Sequence, residues 1–293
     1  MVFSLCLLAV GVEAAVSEGS PSARFAQGVL ASERGQVERA IEEFRAVIRL
    51  EPAHAEAHYN LGVLFGERGQ WTDAIASLAK AAELRPKDPD PHLAMGIVAT
   101  QSGEEDRAVH EFIEAIKLHP DLTEAHFRLG VIYQKRKQDD LAVGQYRTTV
   151  KNDPQHLPAR FALGFLADKK GDMDEAIRQF REITTIDPRS VEGYYNLGLA
   201  YGRKSMVGLA DIPTPDITTD YNALAMEAFQ KTLSWNPNHS GARYNLAVAY
   251  LYQGRGDVKR AREHLEILSA TDPALAEKLI DKIESVTQKG GGH

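Results

Sequence analysis

The chain has 293 residues, with 34 Lys and Arg against 41 Asp and Glu, giving a formal net charge of -7 and a pI near 5.8. That balance opposes broad binding to nucleic acid or anionic membranes and leaves room only for a local basic patch. Charged residues make up 26% and hydrophobic ones 43%, as in an ordinary folded domain, and the single cysteine, Cys6, rules out a disulfide framework or a thiolate metal centre.

Residues 1–20 differ from the rest. Met1 to Val12 is apolar throughout and too short to span a bilayer, which takes roughly 20 residues. With Val12-Glu13-Ala14 after it, the segment reads as a signal-peptide core and cleavage site, so the mature chain is expected to be exported, periplasmic or secreted. No Lys or Arg precedes the apolar run, so the alternative is an apolar first helix of a cytoplasmic protein.

From Pro21 one interval governs the sequence. Gly28, Gly62, Gly96, Gly130, Gly164 and Gly198 each follow the last by thirty-four residues, with Ala247 as a displaced seventh marker. A small residue, Ala40, Ala74, Ala108, Ala142 or Ala176, returns twelve after the marker and continues as Ala225 and Ala261. Four further on stands a ring or Leu: Phe44, Leu78, Phe112, Tyr146, Phe180, Phe229 and Leu265. Pro52, Pro86, Pro120, Pro154, Pro188, Pro237 and Pro273 close the units. A fixed period of this length signals an array in which each unit buries its apolar face only against its neighbours.

The expected units are 21–54, 55–88, 89–122, 123–156, 157–190, 191–239 and 240–273. In each, a helix carries the marker and a turn follows seven residues later, at Gly35, Gly69, Gly103 and Gly171, where a left-handed residue ends the helix. A second helix then runs to the proline, which cannot continue it. Glycine and alanine at the two small places let these helices approach closely.

In the sixth unit fifteen extra residues fall within Gly202 to Asn222, and the prolines and glycine of Met206 to Ile217 predict a loop rather than an extended helix. The seventh unit has two more residues in its turn, Gln253 to Asp257. After Pro273, residues 274–289 place Leu275, Leu279, Ile283 and Val286 on one face, as a polar-backed capping helix would. The glycine-rich tail 290–293 is expected to be disordered.

With Leu61-Gly62, Phe65, Ala74, Leu78, Ala81 and Pro86 in phase in one unit and seven units in register, the chain resembles a tetratricopeptide-repeat (TPR) protein. The resemblance implies an all-α, right-handed superhelical solenoid of antiparallel helix pairs, with the first helix of each pair lining a concave groove. In that frame the residues three before each marker, Phe25, Tyr59, Leu93, Phe127, Phe161, Tyr195 and Tyr244, share a helix face with those one after it, Val29, Val63, Ile97, Val131, Phe165, Leu199 and Val248. They predict an apolar, ring-lined groove for a peptide or helical segment of a partner, although such rings also pack between repeats.

Five after each marker come Glu33, Glu67, Gln101, Lys135, Lys169, Arg203 and Tyr252, so the rim runs from acidic to basic, with Arg128, Arg136, Lys137, Lys170 and Lys204 nearby. A partner acidic toward the fourth to sixth repeats is expected; a merely solvated face is the other reading. Two before the marker, Asn60, Asn196 and Asn245 carry amides that in some relatives hold a peptide backbone, a ladder broken by Ala26, Ala94, Arg128 and Ala162.

Catalytic signals are thin. His58, His92 and His126 recur four before the marker and read as packing residues, and His54 with His58 gives only two of the ligands a metal needs. No cofactor, metal or catalytic residue is expected. The leading function is a non-catalytic protein-binding scaffold. A structural subunit of a cell-envelope assembly, working through its convex face or the 202–222 loop, and an array recruiting substrates for a catalytic subunit on another chain, such as a glycosyltransferase, are the alternatives.

Overall fold

The structure, a computed structural model, describes residues 19–207, 220–253 and 257–290, and among them it holds fifteen α-helices and no strand. The expected signal segment, most of the sixth-repeat insertion and the centre of the seventh turn lie outside the described residues. The chain divides into two compact units between Thr148 and Thr149.

The first unit contains α1 (Pro21–Glu33), α2 (Val37–Leu50), α3 (Ala55–Glu67), α4 (Trp71–Leu84), α5 (Asp90–Ser102), α6 (Glu105–Leu118) and α7 (Thr123–Lys135), and α8 (Asp139–Asn152) begins in it. The second contains α9 (Leu157–Lys170), α10 (Met173–Ile186), α11 (Val191–Val207), α12 (Tyr221–Trp235), α13 (Ser240–Leu251), α14 (Val258–Thr271) and α15 (Pro273–Gly290). Within each unit, successive helices pack on one another as antiparallel pairs, and each second helix also covers the first helix of the next pair.

The small residues explain the close pairing. A Cβ on Gly96 would stand 2.5 Å from Phe112 Cε1, and one on Gly164 would stand 2.6 Å from Phe180 Cε1. Each marker glycine therefore holds space for the ring or Leu of its own second helix, and Ala40, Ala74, Ala108, Ala142 and Ala176 are wholly buried beside it. Interiors packed at crystal-like density have no slack for one more methyl group there.

The turns use left-handed residues as the spacing predicts. Gly103 sits at φ 84°, and in the fourth repeat Lys137 takes the same place at φ 59°. Asp272 Oδ1 accepts a hydrogen bond from Leu275 N at 3.1 Å and Pro273 occupies the first turn, so α15 starts as a capped helix. Its Ala276, Leu279 and Ile283 are buried against α13 and α14. The helix takes in Pro273 and Gly290, one residue more at each end than the apolar pattern marks. The sixth repeat also departs from expectation: α11 continues through Val207, so Met206 and Val207 extend the helix instead of opening the loop.

Candidate functional site

The seven residues three before the markers are all half-buried, and the contacts say why. Their rings lean on the ring of their own second helix: Phe25 on Phe44 at 5.6 Å between centroids, Phe127 on Tyr146 at 5.9 Å, Phe161 on Phe180 at 6.4 Å and Tyr195 on Phe229 at 6.1 Å. Two also touch the histidine that starts the next repeat, Phe25 against His54 at 4.9 Å and Tyr195 against His239 at 4.4 Å. This row is thus both core and surface. Burial pushes the Tyr195 hydroxyl above its usual range, and a hydrogen bond with Asn245 works the other way.

The row one after the markers is not uniform. Val63 and Ile97 are 3% and 7% exposed and belong to the core, which removes them from the expected groove surface. Val29, Leu199 and Val248 are half-buried. Val131 in α7 and Phe165 in α9 stand out at 44% and 46% exposed. Phe165 is held rather than loose: it stacks on Phe161 at 6.1 Å and 21° and meets the edge of Phe180 at 5.5 Å. The stripe is therefore closed over α3 and α5 and open at α7 in the first unit and at α9 in the second.

All seven rim residues five after the markers are exposed, Tyr252 to 56%. The basic ones are not free charges. Lys135 pairs with Glu105, and Arg203 with Asp168. Arg136 binds Glu105 at 3.2 Å and Asp106 at 2.8 Å, so the Lys135 ammonium and then the Arg136 guanidinium hold the Glu105 carboxyl below the usual carboxylate range. Arg68 with Glu38 at 2.9 Å, Arg136 with Asp106, and Lys204 with Asp174 all span thirty residues and tie one repeat to the preceding one. Arg136 and Lys204 thus serve as inter-repeat ties rather than as extra groove charge. Arg128 pairs with Glu124 on its own helix at 2.6 Å.

The amide ladder is occupied internally. Asn60 is buried, Asn196 Nδ2 donates to Glu192 O at 2.8 Å and Asn245 Nδ2 donates to Gly241 O at 2.8 Å. Tyr59 and Tyr244 are half-buried neighbours of the first and last core clusters. Lys169 is exposed.

A second periodic device escaped the sequence reading. The residue four before the marker reaches the side chain nineteen further on: Arg24 to Glu43 at 3.1 Å, His92 to Glu111 at 2.8 Å, His126 to Gln145 at 2.7 Å and Arg160 to Gln179 at 3.3 Å. His58, His126 and Arg160 also engage the carbonyl six residues back, of Pro52, Pro120 and Pro154, at 3.0, 2.9 and 2.8 Å. Each clamp joins both helices of a pair, or a helix and its entry turn, and a net bond of this kind contributes about 1 kcal/mol. His54 is a helix cap, its Nδ1 accepting from Ala57 N at 3.3 Å, and His156 and His239 do the same at 3.1 Å. No group of three or more metal-ligating side chains forms among the described residues, nor is any of their helices long and apolar enough to cross a membrane.

The comparisons with known proteins agree with the period. Models of the tetratricopeptide repeat match residues 25–89, 93–156 and 228–263, and one of the TPR repeat matches 169–205. No curated protein matches. Among solved structures the chain is similar to the C-terminal part of a TPR repeat-containing protein from Cytophaga hutchinsonii, at TM-score 0.68 and 15% identity over 88% of this chain and 98% of that part. It is also similar to a TPR protein from Parabacteroides merdae, at 0.54 and 18% over 90% and 98%. YrrB, described as a TPR protein with an unusual peptide-binding site, aligns at 0.55 and 24% over 69% and 97%. Helix pairs in register, marker glycines under second-helix rings and matches across well over half its length together assign the chain to the tetratricopeptide-repeat family.

Proposed function

We propose that this chain is a non-catalytic protein-interaction scaffold that takes a peptide or helical segment of a partner on the open parts of its first-helix face. The carrying observation is Phe165, a phenylalanine nearly half exposed yet fixed by two ring contacts. Burying such a ring against a partner contributes about 2 kcal/mol without ordering a loose side chain, and packed aromatics are the usual anchors of interfaces. Val131, beside Phe127 on α7, offers a smaller apolar place of the same kind. The described peptide-binding site of YrrB supports the reading as analogy of fold. Lys135 in the first unit, and Lys169 and Arg203 in the second, set register and association rate for a segment with acidic residues, weakened where Lys135 pairs with Glu105 and Arg203 with Asp168.

The test is affinity capture with residues 21–289, comparing the native protein with Val131→Asp and with Phe165→Asp, and reading both bound proteins and thermal stability. Loss of a partner with an unchanged melting temperature supports the face; retention of every partner by both variants rejects it. Export directed by a signal segment within residues 1–20 is part of the proposal, and N-terminal sequencing of the protein from its native host checks it.

A further inference from the structure

Among the first five repeats, the second lacks the clamp. In the second repeat the residue nineteen after His58 is Ser77, where the first, third, fourth and fifth repeats place Glu43, Glu111, Gln145 and Gln179. The short hydroxymethyl group leaves the space of a carboxylate or amide unfilled. A cleft of about 380 Å³ opens there between α2, α3 and α4, lined by Arg45, Arg49, His58, Ser77 and Lys80 and floored by Ile48, Leu61 and Ala76. That volume falls in the range of roughly 300–1,000 Å³ typical of ligand sites.

The charge in the cleft is one-sided. Arg45 is stacked over the Phe65 ring at 5.5 Å, and neither it nor Arg49 has a carboxylate partner among the described residues. Lys80 has one, Glu83 at 2.9 Å, three residues along its own exposed helix face. His58 uses Nε2 on the Pro52 carbonyl, which leaves Nδ1 as the ring nitrogen corresponding to the one that meets Glu111 in the third repeat and Gln145 in the fourth. On a chain of net charge -7 this is a local basic site whose charges suit an oxygen anion. None of its lining residues belongs to the first-helix stripe.

We propose that the cleft at Ser77 is a second binding site, which takes an acidic peptide segment of a partner and seats one carboxylate where Glu111 sits in the following repeat. Arg49 and Lys80 hold that carboxylate from the two second helices, and Ile48 and Leu61 receive the methylenes of a glutamate.

Fluorescence anisotropy of a fluorescein-labelled hexaglutamate peptide at low ionic strength, against a hexaglutamine control, tests this. Hexaglutamate is expected to bind and hexaglutamine not. Ser77→Glu, which restores the carboxylate from within, and the double variant Arg49→Ala with Lys80→Ala should each weaken binding by about tenfold or more. Lys259→Ala, which removes an exposed cation on α14 in the second unit, should leave it within about twofold. Hexaglutamate binding that survives both Ser77→Glu and the double variant overturns the site. So does a cleft that takes inorganic phosphate but not hexaglutamate.

Discussion

The Phe112 ring stands where a side chain on Gly96 would begin, with 2.5 Å between Phe112 Cε1 and the place of a Cβ. The contact links two residues sixteen apart in sequence, on paired helices, and recurs in each repeat that has both groups. Gly96→Ala is therefore expected to destabilise the first unit by about 2–3 kcal/mol, since the buried ring cannot yield without overpacking its neighbours. Gly144, in the exposed part of α8, has nothing within 4 Å of its Cβ position, so Gly144→Ala should stabilise by about 0.5–1 kcal/mol. Urea unfolding of the two variants checks the pair, and equal effects would contradict the packing account.

Lys137 carries φ 59° in a turn where four other repeats use glycine. Lys137→Gly removes a left-handed strain of about 1–2 kcal/mol and adds freedom to the unfolded chain, for a net gain of about 0.5–1 kcal/mol. Thermal unfolding measures it, and a loss of stability would show that the lysine side chain does more than tolerate the turn.

Acid should loosen the array through its histidines. Burial lowers the pKa of His54 and of His264 below the ordinary 6.5, so the folded state resists protonating both groups. Their contribution is complete above about pH 6.5 and is lost as pH falls below it toward the depressed folded values. His54→Asn, which caps α3 without titrating, is expected to flatten the fall in melting temperature between about pH 7 and 5. An unchanged pH profile would remove the cap from the account.

The clamp of His126 and Gln145 should show coupling. His126 is buried and engages both Gln145 and the Pro120 carbonyl, so His126→Ala is expected to cost about 2–3 kcal/mol. Gln145→Ala alone should cost less, and a double-mutant cycle should return a coupling of about 0.5–1.5 kcal/mol. Strict additivity would mean that the two side chains do not act together.

The period was legible because it rests on residues that admit few substitutes. Only glycine leaves room under Phe112 or Phe180, so those markers repeat as letters. The clamps were not legible because the same bond is made by Arg with Glu, His with Glu, His with Gln and Arg with Gln, and no single letter recurs. Nor does register decide exposure. Val63 and Val131 hold the same place in their repeats, yet one is core and the other surface, because exposure depends on what the neighbouring helices bring to that spot. The run of rim charge read as a field, but Glu105 and Asp168 lie outside the repeat's marked positions and neutralise much of it. The continuation of α11 through Val207 was hidden by the prolines that follow, which end a helix only where they stand.

The central claim is that a partner docks on the open first-helix face, and site-specific photocrosslinking in the native host tests it most directly. A benzophenone amino acid would be placed in turn at Val131 and Phe165, and at Leu141 and Ile267, which are about as exposed but lie on second helices. The account predicts a discrete partner adduct from positions 131 or 165 and none from 141 or 267. Adducts from the second-helix positions alone would contradict it.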